Sequence, residues 1–183
     1  HVTGVQTCAL PISGLKPAAA LTTTGIVGVL ATSSTLVSEK FQNLQQQIAG
    51  ASNVRFVTQA CNGLADQIEK GELNSRETAA LVQRYVAPLV AQNADTLVLG
   101  CTHYPLLTGV ISYVMGQGVT LVSSAEETAK DLYRVLVENN LLREPSTIAP
   151  SHEFLATGDA HQFEFLARRF LGPEVTKVKH QDL

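Results

Sequence analysis

The residues with the most chemical potential are Cys101 and His103, in the run Gly100-Cys101-Thr102-His103-Tyr104-Pro105. A thiol acts as a base only as thiolate, and a nearby imidazole or the free amides of a helix N-terminus favour that form. His103, two residues on, is a natural proton partner or electrophile. Thr102 offers a hydroxyl and an amide to a carboxylate ligand. On the Cys-x-His spacing alone, a packed thiol beside an ordinary loop histidine is the simpler reading. A zinc site is disfavoured, because no second ligand pair stands at suitable spacing. The hydroxyl-rich stretch Ala31-Thr32-Ser33-Ser34-Thr35 is a second candidate. It can bind a carboxylate or phosphate, or simply cap a helix through Ser34 or Thr35. A third is Gln59-Ala60-Cys61-Asn62-Gly63, where Cys61 suggests a thiol pair with Cys101. No Walker or dinucleotide glycine pattern is present.

Each of these stretches follows a strand-like apolar run, and amphipathic stretches alternate with those runs. Strands are expected at 25–30, 54–57, 96–99 and 119–122. Helices are expected over 36–49, 64–69, 74–92, 106–115 and 124–140. Val37, Phe41, Leu44 and Ile48 make one apolar helical face. Asn74 with Glu77, and Ser124 with Glu127, read as capping pairs. Gly71 closes the short helix before it, and Pro88 is expected to kink its helix. After a polar connection at 143–151 come a strand at 154–156, a helix at 162–171 and a strand at 175–178. The fold class is therefore α/β, with mainly parallel sheets flanked by helices. Ligands in such folds bind at the carboxyl ends of the strands, where all three candidate loops lie.

The chain has 183 residues, 45% of them apolar and 16% charged, with net charge −3, which is the balance of a globular protein. Its lysines and arginines are scattered, so no nucleic-acid or membrane partner is expected. No apolar run reaches spanning length. The three cysteines, without a Cys-x-x-Cys pair, argue against a disulfide framework and fit a reducing, cytoplasmic compartment. Residues 1–13, His-Val-Thr-Gly-Val-Gln-Thr-Cys-Ala-Leu-Pro-Ile-Ser, lack the basic n-region of a signal peptide. They resemble translated sequencing-adapter DNA, so they are set aside as a non-native leader together with Cys8. Residues 14–23 are read as a linker.

Taken together, the motifs resemble those of glutamate racemases, in the aspartate/glutamate racemase superfamily. The run 100–105, preceded by Ala94-Asp95-Thr96-Leu97-Val98-Leu99, is the most specific element. Supporting segments are Lys16 to Ala20, Gly28 to Thr32, Cys61 to Glu69, Ser124 to Ala129, and Phe154 to Asp159. The resemblance covers about residues 14–178. Asn62 departs from a usual Pro, Ser123 from a frequent Asp, and Ser33-Ser34 from a common x-Gly.

The resemblance implies two pseudo-symmetric α/β domains with the substrate between them. Residues 24–123 would be the inserted domain carrying one catalytic cysteine, and 124–183 the returning part of the other domain. The missing N-terminal half would supply the second catalytic cysteine, leaving this fragment inactive alone. It implies L- and D-glutamate interconversion for peptidoglycan synthesis, without pyridoxal phosphate or a metal. Cys101 and His103 would be catalytic, and Thr102, His103, Thr32 and Thr35 would bind substrate. Glu69 would orient His103, and Cys61 matches a non-catalytic position. The implied partners are glutamate, the missing half and a second copy in a homodimer. Alternatives are a racemase for aspartate or another acidic amino acid, and a non-catalytic binding module.

Overall fold

In the computed structural model, which describes residues 6–182 and side chains from Ser13 onward, two of the apolar runs become central strands of one parallel sheet. These are β1 (Ile26–Ala31) and β3 (Thr96–Gly100), the second buried at every position. A strand covered on both faces needs apolar residues on both, which is why neither run alternates. The sheet order is β2-β1-β3-β4, with β2 (Arg55–Ala60) and β4 (Thr120–Ser123) at the edges. Every pairing is parallel.

Helices make the crossovers. They are α2 (Ser33–Leu36) and α3 (Glu39–Ser52) after β1, then α4 (Leu64–Glu69) and α5 (Arg76–Val90) after β2. A 3₁₀ turn (Tyr104–Leu107) and α6 (Thr108–Met115) follow β3, while α1 (Gln6–Leu21) precedes the sheet and α7 (Ser124–Glu138) leaves it. On one face Val27, Val29 and Ala31 pack with Leu15, Ala18, Phe41, Val98 and Val122. On the other, Gly28 lets α5 approach closely. A Cβ there would stand 2.8 Å from Leu97 Cδ1 and 3.0 Å from Leu89 Cδ1.

At the opposite end of the sheet from the candidate loops, Asp95 ties the start of β3 to the link between α1 and β1. Its carboxylate accepts from Thr22 Oγ1 (2.5 Å), Thr23 N (2.7 Å), Thr23 Oγ1 (2.6 Å) and Thr24 N (2.9 Å). Burial tends to raise this carboxyl, but the threonine hydroxyls and amides hold it well below the usual carboxylate range.

Several local expectations are corrected. Residues 14–21 are not linker but the second half of α1, with Leu15 and Ala18 fully buried in the core. Of the set-aside leader, residues 1–5 and the Cys8 side chain lie outside the described residues, while the helix begins at Gln6. Ser75, not Asn74, caps α5 by accepting from Thr78 N. Ser123 caps α7, and Ser124 is buried with its hydroxyl on Leu99 O at 2.7 Å. The hydroxyl loop forms the short helix α2, which its polar composition did not announce.

The chain divides into two compact units after Asn140. α7, expected to open the returning segment 124–183, packs on α1 within the first unit. The second unit pairs β5 (Phe154–Ala156) in parallel with β6 (Val178–His180). α8 (Ala160–Leu171) packs on them, with Ala167 in one core cluster with Val175 and Val178. The last strand starts at Val178 rather than Val175, which lies buried just before it. Among the described residues, no helix is long and apolar enough to cross a membrane.

Candidate active site

Register brings the candidate loops together. Ala31 pairs with Ala60 on one side and with Gly100 on the other, so three strands end level. The next residue along each strand is Thr32, Cys61 or Cys101, all on the carboxyl edge of the sheet. Because β1 lies between β2 and β3, Thr32 neighbours the strand that carries Cys101, and Cys61 is one strand farther off.

Cys101 is partly exposed. Its Sγ lies 3.9 Å from His103 Nδ1, a contact within sulfur hydrogen-bond range. The other ring nitrogen, Nε2, meets Glu69 Oε1 at 3.0 Å, with both side chains partly open to solvent. Thr102 Oγ1 lies 3.3 Å from His103 Nδ1. Glu69, His103 and Cys101 form a chain from carboxylate to imidazole to thiol, with Thr102 beside the Nδ1 end. Burial alone would raise the Cys101 thiol, but the side-chain and backbone hydrogen bonds of His103, with its charge, outweigh burial and bring the thiol below its ordinary value. The same contact with Cys101 raises the His103 imidazole, and Glu69 adds to that against the opposing effect of burial.

The amide acting on the thiol is therefore that of His103 itself, at the N-cap of the 3₁₀ turn, and not one from the helix expected after Pro105. Cys61 is different in kind. It is buried, and desolvation pushes its thiol up to about 12. Its backbone carbonyl accepts from the buried Tyr104 hydroxyl at 3.3 Å, which ties the loop after β3 to the loop after β2.

Thr32 caps α2, accepting from Thr35 N at 3.3 Å, and its hydroxyl lies 2.9 Å from that of Thr35. The two threonines are thus brought to each other, beside Cys101 but not bonded to it. Sequence reasoning missed what holds this loop. Ser33 Oγ donates to Asn62 Oδ1 at 2.8 Å, and Tyr85 OH donates to Asn62 O at 2.6 Å. The departures at Asn62 and Ser33-Ser34 were the only sequence signals, and nothing local marks Tyr85, 23 residues away. Among the described residues, no group of three or more His, Cys, Asp or Glu side chains can hold a metal.

Residues 9–132, more than half of the chain, match the model of the Asp/Glu/hydantoin racemase family. The chain belongs to that family. A glutamate racemase of Parafrankia sp. is 48% identical over 167 residues, covering 91% of this chain and 59% of its own length. This racemase-family chain therefore spans about three-fifths of the length of the curated relatives it matches. Among solved structures, a glutamate racemase isoform from Bacillus anthracis superposes with TM-score 0.82 at 31% identity, over 95% of this chain and 63% of that one. The Escherichia coli glutamate racemase, in complex with L-glutamate and the activator UDP-MurNAc-Ala, gives TM-score 0.70 at 26% identity, over 91% and 62%. The racemase-family α/β fold is common to all of them.

Proposed function

We propose that this chain carries one half of a cofactor-independent glutamate racemase site, with Cys101 as the base that removes the α-proton of L-glutamate. The observation that carries this is the partly exposed Cys101 thiol, lowered by His103, which is itself held by Glu69. Inverting an α-carbon needs a base on one face and an acid on the other. The α-proton is a weak acid, so the site must stabilise the carbanion as it forms. A thiolate facing a thiol meets the first need, and the two exchange roles with direction. Cys61 does not serve as the second thiol, because its burial keeps it protonated. That second thiol would come from the part of the relatives' length that this chain does not span.

In this reading His103 keeps the Cys101 thiol ionisable, and Glu69 aims His103. Thr102 binds a substrate carboxylate, while Thr32 and Thr35 offer hydroxyls to the same ligand. Residues 24–123 correspond to the inserted domain and 124–183 to the returning part of the other. The product is D-glutamate for peptidoglycan, made in the cytoplasm, and a homodimer is part of the same reading. Glutamate is preferred to aspartate because curated relatives at 48% identity are glutamate racemases.

The test is α-proton exchange into deuterated water, with L- and D-glutamate separately. It is run on this chain and on a version extended to the relatives' full length, each beside Cys101→Ala. Exchange of both enantiomers by the extended form is expected, with exchange of L-glutamate lost in the variant. Exchange by neither form, or exchange of L-glutamate that survives Cys101→Ala, overturns the proposal. A preference for aspartate in the same assay overturns the choice of substrate.

A further inference from the structure

Asn62-Gly63 is the only Asn-Gly pair in the sequence, and it lies in the loop that braces the candidate site. We infer that Asn62 is a site of spontaneous backbone modification, deamidating through a cyclic imide formed with Gly63.

Four observations converge there. Gly63 has no side chain to block approach to the preceding residue, and its φ of +77° puts the pair in a surface turn outside any strand ladder. The Gly63 amide donates to no acceptor among the described bonds, whereas the amides around it are engaged: Cys61 N on Ala31 O, and Leu64 N on Cys61 O. The side-chain carbonyl of Asn62 accepts the Ser33 hydroxyl at 2.8 Å. That bond draws electron density from Cγ and stabilises charge on Oδ1 as a nucleophile adds, as any preset donor does at a developing oxyanion. Asn62 is also exposed, so solvent reaches its amide nitrogen.

The step balances with water as the only co-reactant. The Gly63 amide nitrogen gives its proton to hydroxide and attacks Asn62 Cγ, forming a C–N bond. The Cγ–Nδ2 bond breaks, and Nδ2 takes a proton from water and leaves as ammonia. Water then opens the five-membered imide at either carbonyl. One opening leaves an aspartyl residue at position 62, and the other leaves an isoaspartyl residue with one more methylene in the main chain.

Geometry decides which consequence matters. Position 62 sits about two strand spacings, or about 10 Å, from Cys101. That is about one Debye length at ordinary salt, so the added charge is largely screened there. The longer backbone acts directly. It displaces the Asn62 carbonyl from Tyr85 and the side chain from Ser33, releasing the loop that carries Thr32 and Thr35. Only the meaning of that release for catalysis rests on the racemase reading; the chemistry does not.

The test ages the folded chain and a urea-unfolded sample at mildly alkaline pH, followed by trypsin digestion and mass spectrometry. Cleavage after Arg55 and Lys70 isolates Asn62 in peptide 56–70, and cleavage after Arg76 isolates Asn74, followed by Ser75, in peptide 71–76. In the folded chain, peptide 56–70 is expected to gain one mass unit several-fold faster than peptide 71–76. It should also become a substrate for an isoaspartate-specific methyltransferase. Ser33→Ala should slow the reaction, and Asn62→Gln should fold alike and stay unmodified at that position. Modification seen only after unfolding, or equal rates in the two peptides, overturns the inference. A rate unchanged or faster in Ser33→Ala overturns the part assigned to its hydroxyl. Faster hydrogen exchange of the Thr35 amide is expected in the modified chain, and unchanged exchange overturns the link to the loop.

Discussion

Replacing Asp95 by alanine removes the four hydrogen bonds that its carboxylate accepts from Thr22, Thr23 and Thr24. Hydrogen bonds to a charged partner reach about 1.5–3 kcal/mol when desolvated, but three of these four are exposed and water can replace them. Taking the low end for a net intramolecular bond, about 0.5 kcal/mol each, the loss is about 2 kcal/mol. For a chain of this size that lowers Tm by about 4–8 °C. The pH dependence gives a second handle. The folded Asp95 carboxyl lies below its unfolded value, so its contribution is whole above the ordinary aspartate pKa of about 3.9. It is lost as the pH falls from there toward the folded value. Thermal melts of parent and Asp95→Ala, followed by far-UV circular dichroism, should differ at neutral pH and converge on acidification below about pH 4. Equal melts at neutral pH, or a gap that widens in acid, would refute the reasoning.

The two described cysteines should separate cleanly under iodoacetamide. Cys101 should be alkylated at a lower pH than an ordinary thiol and more slowly in His103→Asn, whereas Cys61, pushed up to about 12, should stay silent in the folded chain; mass spectrometry that found Cys61 the faster would reverse the assignment. Glu69→Gln should lower the His103 imidazole pKa seen by NMR titration, since Glu69 raises it, and an upward move would show that the contact does not act as described. Gly28→Ala should cost about 1–3 kcal/mol by overpacking against Leu89 and Leu97; an unchanged urea midpoint would mean that α5 moves aside freely.

The strands were readable because both faces are covered, so the stretches around Val27 to Leu30 and Leu97 to Leu99 are apolar without interruption. α4 was readable to the residue, since Gly63 and Gly71 punctuate both ends with positive φ. α1 was not, because Lys16-Pro17 and the threonines at 22–24 look like a connection. Only tertiary packing shows that Leu15 and Ala18 belong to the core. α2 was hidden for a related reason, since a hydroxyl-rich loop and a one-turn helix capped by Thr32 share a composition. The pairing of Cys101 with His103 is local and visible in the spacing. The contact of His103 with Glu69 spans 34 residues and entered only through resemblance. The brace made by Ser33, Asn62 and Tyr85 depends on strand register, and the departures at Ser33-Ser34 and Asn62 were its only marks in the sequence.

The level ending of β1, β2 and β3 divides responsibility at this edge of the protein. Where Cys101 stands is decided by main-chain ladders that every amino acid but proline can make, so its location is insulated from drift in the surrounding side chains. What Cys101 can do depends on His103, whose outer nitrogen is held by a solvent-touched contact with Glu69. Sequence change in this chain would therefore erode reactivity long before it displaced the thiol, and a descendant that had lost the chemistry would still look in outline like one that kept it.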